Sequence, residues 1–254
     1  MAAHGRELLA CQRELASGAG SVLAILFEGI GTVYEWQHYP RDDVHDPATH
    51  AQYFYHAHPP SERKATGRGQ SAIDEREHGH FHIFLRARGM PPGTRPLVMP
   101  ELAIADNPAA PKTPLAASAP QTTAEDEGEP WSHLVAISLD PAGRPLRFFT
   151  TNRWVTGETW YPAADVVTML DRFALGPVAP SPLLNRWLTA LLGLYRPQLA
   201  ELLFARDAAV MDWRRRRRAK VHVFEDRRLE ITSTLAIDLD RQIELIDKAL
   251  RRVA

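Results

Sequence analysis

One segment constrains the fold more than any other: residues 77–86 read Glu-His-Gly-His-Phe-His-Ile-Phe-Leu-Arg. Successive side chains of a β-strand point to opposite faces of a sheet. One face of such a strand carries the apolar side chains Phe81, Ile83 and Leu85. The other face carries His78, His80, His82 and Phe84. We therefore predict a strand that packs its apolar side into a core and lines the opposite surface, or a pocket, with imidazoles.

A second segment repeats this arrangement. Residues 53–58 read Tyr-Phe-Tyr-His-Ala-His, which puts Phe54, His56 and His58 on one face of a strand. Eight of the eleven histidines lie within residues 38–82, far more than that segment's share of the chain. If the two strands are neighbours in a sheet, imidazoles from both converge.

Clustered imidazoles are typical of a metal site, because histidine is the commonest nitrogen ligand for zinc, iron and copper. The candidate ligands are His56, His58, His78, His80 and His82, with His133 as a further candidate. Three protein ligands leave a coordination position for water or substrate, which a catalytic metal requires. Imidazole alone does not select among these three metals.

Glu77 stands directly before the histidine run. If the strand already began there, its side chain would point away from that of His78. In a turn before the strand it reaches the site as a ligand, an orienting carboxylate or a general base. We expect Glu77 and His80 to be the catalytic residues of a metal-dependent enzyme, hydrolytic or oxidative, that acts on a small molecule.

Three alternatives stay open. A row of histidines on an exposed strand is compatible with an ordinary solvated surface. The second alternative is a non-catalytic binding module, because a site that binds a metal or another ligand need not catalyse a reaction. The third is metal-free histidine chemistry.

This third alternative follows from a local resemblance. The run His-Gly-His-Phe-His-Ile-Phe at residues 78–84, with Gly-Gln-Ser at 69–71 upstream, resembles the motif of the histidine-triad nucleotide hydrolases and transferases. The resemblance implies that His80, the middle histidine, is the nucleophile that takes up a nucleotidyl group. The charged residues 74–77 depart from the family's short spacer.

The whole chain resembles an uncharacterised bacterial protein family. The run Glu-His-Gly-His-Phe-His, together with Trp-Tyr-Pro-Ala at 160–163 and Asn-Arg-Trp-Leu at 185–188, carries this resemblance. It implies a single bacterial unit and no particular activity.

Composition and periodicity predict an α+β fold, with a mostly antiparallel sheet in the N-terminal half and a helical C-terminal half packed against it. Aromatic and β-branched runs predict strands at residues 32–36, 52–58, 79–88, 131–140, 146–151 and 229–237. We divide the chain into N-terminal helices (1–30), a histidine-rich β region (31–104), a flexible Pro/Ala-rich insert (105–130) and the remaining strands and helices (131–254). All four parts are expected to form one domain.

Capping residues predict where helices begin. Ser21, Ser181 with Pro182 behind it, and Asp238 each precede an apolar periodic segment. A further helix is expected over residues 197–218.

Arg153, Trp154 and Trp160 are candidate substrate-binding residues, since an arginine binds anions and tryptophans wall pockets. Aromatic packing between sheet and helices explains the same residues without a ligand.

The remaining features limit partners and compartment. The net charge is −1, and the five arginines at 214–218 splay around a helix instead of forming one face, so nucleic acid is disfavoured as a partner. A single cysteine, Cys11, excludes an internal disulfide and is typical of the cytoplasm. No apolar stretch reaches the length of a membrane span, and we expect a small-molecule substrate.

Overall fold

A computed structural model describes residues 1–35, 37–58, 76–97, 128–217 and 222–251 of the chain. It contains one six-stranded sheet whose strands follow one another in chain order. The strands are β1 (Tyr39–His45), β2 (Ala51–Ala57), β3 (Gly79–Arg86), β4 (Trp131–Leu139), β5 (Pro145–Thr151) and β6 (Ile231–Ala236). Every neighbouring pair is antiparallel, which confirms the predicted sheet.

The predicted strand at residues 32–36 is wrong for the residues that the structure describes. Residues 32–35 form no strand, and β1 begins at Tyr39 instead. The main-chain N–H of Tyr34 donates a hydrogen bond to the Tyr39 hydroxyl at 2.6 Å, and this hydroxyl donates to the Tyr34 carbonyl at 3.2 Å. These main-chain groups therefore bond a side chain instead of a neighbouring strand. Val33 and Tyr34 are 36% and 58% exposed, so the strand propensity of this segment is not supported by burial.

Seven α-helices are present in the described part of the chain. They are α1 (Ala2–Ser17), α2 (Val22–Leu26), α3 (Arg153–Thr156), α4 (Ala163–Leu170), α5 (Pro182–Leu194), α6 (Arg196–Arg216) and α7 (Leu239–Arg251). The three predicted caps are confirmed: Ser21, Ser181 and Asp238 accept hydrogen bonds from the main-chain N–H three residues on, at 3.1, 3.4 and 3.0 Å. Residues 105–127 of the predicted insert and Arg218 lie outside the described residues.

The two faces of the sheet differ in what they bury. Phe81, Ile83 and Leu85 of β3 pack into the main hydrophobic core with α1, α4, α5 and α6. The opposite face of β3 carries His80, His82 and Phe84, and this face is buried as well. The α+β architecture therefore places the histidines in the interior of the molecule.

No helix in the described ranges has both the length and the apolar content needed to cross a lipid bilayer.

Asn185 joins the helices to the sheet. It is fully buried in α5, accepts a hydrogen bond from the Tyr53 hydroxyl of β2 at 2.9 Å, and donates to the main-chain oxygens of Gly176 and Val178 at 3.0 and 2.8 Å. Its neighbour Arg186 forms ion pairs with two glutamates of α1. The Asn-Arg-Trp-Leu segment thus has a structural role.

We expect Asn185→Ala to destabilise the protein by about 2–4 kcal/mol, because it removes the partner of the buried Tyr53 hydroxyl and of two partly buried carbonyl groups. Tyr53→Phe removes only one of these bonds and should cost about 1 kcal/mol. Urea unfolding of both variants measures the difference. A loss below about 0.5 kcal/mol for Asn185→Ala would contradict the role assigned to this side chain.

Candidate metal centre

The pairing of strands β2 and β3 brings the two histidine segments together, which the sequence alone left open. His56 lies directly opposite His80, and Phe54 lies opposite His82. The His56 and His80 ring centroids are 4.3 Å apart. The same row continues through Ser138 of β4 to Arg147 of β5, so four adjacent strands contribute to one line of side chains.

Three imidazoles form the centre of the site: His56, His58 and His80 each offer a nitrogen within 4.8 Å of the other two, and all three are buried. His58 follows the last residue of β2, and its main-chain N–H bonds the carbonyl of His78 at 3.0 Å. This bond holds the chain in register after the strand ends. The His58 Nε2 atom lies 3.0 Å from His80 Nδ1.

Glu77 places a buried carboxylate against this group. Its Oε1 lies 2.7 Å from His80 Nδ1 and 3.7 Å from His58 Nε2. Its Oε2 accepts hydrogen bonds from Ser138 Oγ at 2.6 Å and Arg147 Nη2 at 3.2 Å. Because β3 begins only at Gly79, Glu77 lies before the strand and reaches the site from there.

The environment keeps Glu77 ionised. Burial raises the pKa of this carboxyl, but hydrogen bonds from His80 and Ser138 and the positive charge of Arg147 outweigh it and lower the pKa to about 2. The site therefore contains a fixed negative charge at neutral pH.

The row of imidazoles extends beyond the three central ones. His80 Nε2 lies 3.0 Å from His82 Nε2, and His82 Nδ1 lies 3.1 Å from His133 Nε2. Burial, together with the neighbouring imidazoles, lowers the pKa of His56 and of His82 well below the usual value. Burial and the charge of Arg206 lower the pKa of His133 to about 3. These imidazoles are therefore neutral, the form that binds a metal ion.

His78 lies elsewhere, so the expectation that it shares a face with His80 and His82 is wrong. Its Nδ1 is 2.7 Å from the Tyr55 hydroxyl, and its ring contacts Phe27 on the side of the main core. His78 lies before β3, which begins at Gly79, and a Cβ atom at Gly79 would lie 2.2 Å from the carbonyl oxygen of His56. The backbone approaches β2 closely at this point, and the regular alternation begins only after it.

His38 and Asp43 lie next to Phe54, whose ring borders that of His56. The His38 ring stacks on Phe54 at 3.6 Å and bonds Asp43 at 2.7 Å. Asp43 has a left-handed φ of 53°, at the irregularity in β1. Its carboxylate also accepts from Gln52 at 2.9 Å.

Sequence reasoning missed four of these groups: His38, Asp43, Ser138 and Arg147. Ser138 and Arg147 lie on predicted strands, so the missing signal was the register between strands, which periodicity does not contain.

The three predicted substrate-binding residues contact a different region. Arg153 pairs with Glu225, and the indole N–H of Trp154 donates to the carbonyl of Leu229 at 2.9 Å. Trp160 is buried in a second apolar cluster, with the guanidinium of Arg206 4.1 Å from its ring centroid. Arg153 thus has an ion-pair partner and the two tryptophans pack within the protein, and substrate binding by these residues stays a prediction.

Glu158 is a second buried carboxyl, next to His133. Its Oε2 accepts the main-chain N–H of His133 at 2.9 Å, and Oε1 has no hydrogen-bond partner among the described residues. Burial raises its pKa to about 7. The positive charges of Arg206 and Arg153 oppose this rise in pKa, and the negative charge of Asp207 adds to it. The folded protein therefore holds a proton on Glu158 more tightly than the unfolded chain does.

We expect this carboxyl to make stability fall with rising pH. Because its pKa rises from 4.5 to about 7 on folding, its contribution is fully present below pH 4.5 and is lost as the pH passes through 7. Relative to Glu158→Gln, the wild type should lose about 3 kcal/mol of unfolding free energy across this window. Urea unfolding at about pH 4.5 and pH 8 measures this difference.

The exposed Glu201 of α6 supplies the control, since Glu201→Gln makes the same chemical change at a surface position. Parallel profiles for the wild type and Glu158→Gln would show that the carboxyl does not titrate in this window.

Comparison with known proteins identifies the family and nothing more specific. No curated protein matches the chain, and no solved structure matches it either. A family model described as a domain of unknown function, DUF6969, matches residues 2–237, which is nearly the whole chain. The predicted resemblance to an uncharacterised family is thereby confirmed, and the chain belongs to the DUF6969 family.

Proposed function

We propose that the protein is a metal-dependent enzyme whose metal ion is bound by His56, His58 and His80. One observation carries this proposal: three buried imidazoles from neighbouring strands offer nitrogens within 4.8 Å of one another. Metal–imidazole bonds are about 2 Å long. A small inward movement of the three rings would therefore bring all three nitrogens to bonding distance of one ion.

The surroundings of these rings suit a metal ion better than they suit protons. Burial disfavours the imidazolium form of His56, which makes its nitrogens electron-pair donors. Glu77 lies 2.7 Å from His80 Nδ1, the arrangement in which a carboxylate orients a ligating imidazole through its other nitrogen.

The ligand set favours a catalytic ion over a structural one. Structural zinc sites are closed by four protein ligands and are often rich in cysteine, whereas catalytic sites keep a position open. The one cysteine of the chain, Cys11, is buried among the helices of the main core. Three imidazoles leave room for water or a substrate, with Glu77 beside them as acid or base.

The identity of the ion decides the reaction class. Zinc would supply Lewis acidity for hydrolysis, and iron or copper would supply oxidative chemistry. All three accept a nitrogen ligand set of this kind.

Nucleotidyl transfer to His80 is the less favoured activity. A nucleophilic imidazole needs space for the incoming nucleotidyl group, but His80 is buried, with Glu77, His58 and His82 packed against its ring at 2.7, 3.0 and 3.0 Å. A covalent phosphoramidate on His80 after incubation with a nucleotide would reverse this preference.

We expect protein purified without a histidine tag to contain about one transition-metal ion per chain. His80→Gln and His58→Gln should lose this metal, because each removes one of three ligands. His78→Gln is the matched control: it changes a histidine of the same run whose ring faces Tyr55 instead, so it should retain the metal. Elemental analysis by mass spectrometry measures the stoichiometry and names the metal.

Removal of the ion should also lower stability. At a metal concentration of about 100 times the dissociation constant, the bound state gains about 2.7 kcal/mol, which a chelator would remove. Substoichiometric metal in the wild type, with a melting temperature unaffected by chelator, would contradict the proposed site.

A further inference from the structure

Arg147 lies at the edge of the candidate metal centre. Its Nη2 donates to Glu77 Oε2 at 3.2 Å, and its Nε donates to Ser138 Oγ at 3.3 Å. Its guanidinium is 5.1 Å from the ring centroid of Phe149, whose ring contacts that of His80 at 4.9 Å. Arg147 is therefore attached to the same carboxylate and the same aromatic ring as a proposed metal ligand.

Exposure increases across the site towards Arg147. The side chains of Glu77, His58 and His80 are 1%, 5% and 9% exposed. That of Arg147 is 14% exposed. Within the described part of the chain its guanidinium makes only the two hydrogen bonds given above, and further N–H groups remain. Arg147 thus has unused donors and is the most exposed of these four side chains.

The charges of the site favour an anion. Glu77 and Arg147 offset each other, and the ligand imidazoles are neutral when they bind a metal. Two further buried acids lie near this face. Asp43 is bridged through Gln52 to the cation Arg86, at 2.9 and 2.6 Å. Glu158 accepts the main-chain N–H of His133 and lies near the cation Arg206. A divalent ion would therefore leave its positive charge uncompensated in a buried place, which an anionic ligand offsets.

We propose that the substrate of this centre is a small molecule with an oxyanion group, a carboxylate or a phosphate, which Arg147 binds beside the metal. The inference rests on the metal site proposed above. Guanidinium groups bind carboxylate and phosphate through paired N–H donors, and a neighbouring cation strengthens such contacts. In this arrangement Arg147 binds the substrate directly, while its bond to Glu77 fixes the direction of the guanidinium.

Inorganic phosphate is the probe for the test. The metal-loaded protein, in its cobalt(II) form, is titrated with phosphate, followed both by calorimetry and by the visible spectrum of the metal. We expect saturable binding with a spectral change, and a loss of affinity of about 10–100-fold in Arg147→Gln, the range for a hydrogen bond to a charged group.

Two variants separate direct contact from indirect effects. Arg144→Gln removes the same charge from the turn of the same hairpin, where the side chain is 80% exposed, and should not change phosphate affinity. Ser138→Ala removes one hydrogen bond to Glu77 and one from Arg147 Nε but keeps the cation, so its loss should be smaller than that of Arg147→Gln. Equal losses in the two variants would show that the cation itself does not bind the anion, and would overturn the inference.

The remaining outcomes are also decisive. A wild type that holds its metal but does not bind phosphate overturns the anionic substrate and leaves the metal site intact. A wild type that holds no metal overturns the proposed function and this inference with it. If Arg147→Gln fails to hold metal, Arg147→Lys replaces it: a several-fold loss supports a paired contact, and unchanged affinity contradicts it.

Discussion

Burial of both faces of β3 is the constraint on which the rest of this structure depends. One face is an ordinary apolar core, but the other carries His80 and His82 among aromatic rings, with almost no solvent contact. A buried polar nitrogen costs free energy unless it is hydrogen-bonded. The row from Glu77 through His80 and His82 to His133 meets this requirement by pairing each ring with the next. The fold is therefore built around a polar network, which has to be satisfied as a whole.

Glu77 is the group that ties this network to the sheet. One carboxylate contacts an imidazole of β3, a hydroxyl of β4 and a guanidinium of β5. An ionised carboxylate in this position is stable only because all three partners are present, which also fixes the relative placement of the three strands. The same contacts that stabilise the charge therefore orient His80 and Arg147 towards each other, so stability and site geometry share one cause.

The sequence predicts the parts of this arrangement that depend on strict alternation. The faces of β2 and β3 were predictable, because side chains along a strand alternate with a period of two. Strict alternation does not describe the positions where the backbone departs from that period. His78 precedes the close approach at Gly79, and regular alternation would group His133 with the core residues Val135 and Ile137. A register shift beside Ile83 and Phe84 turns His133 towards His82 instead, and no propensity scale contains such a shift.

The composition of the buried histidine face bears on why the imidazoles are there. Phe54, Phe84 and Phe149 surround them, so the fold already accommodates large apolar side chains at adjacent positions of the same face. Replacing a buried polar group by a well-packed apolar one is often neutral or stabilising. Stability alone therefore does not require imidazoles in the centre of an aromatic surface. Neutral nitrogens held beside one fixed negative charge and an accessible guanidinium are, however, what a metal ion and an anionic ligand require together, and this favours a binding role over a purely structural one.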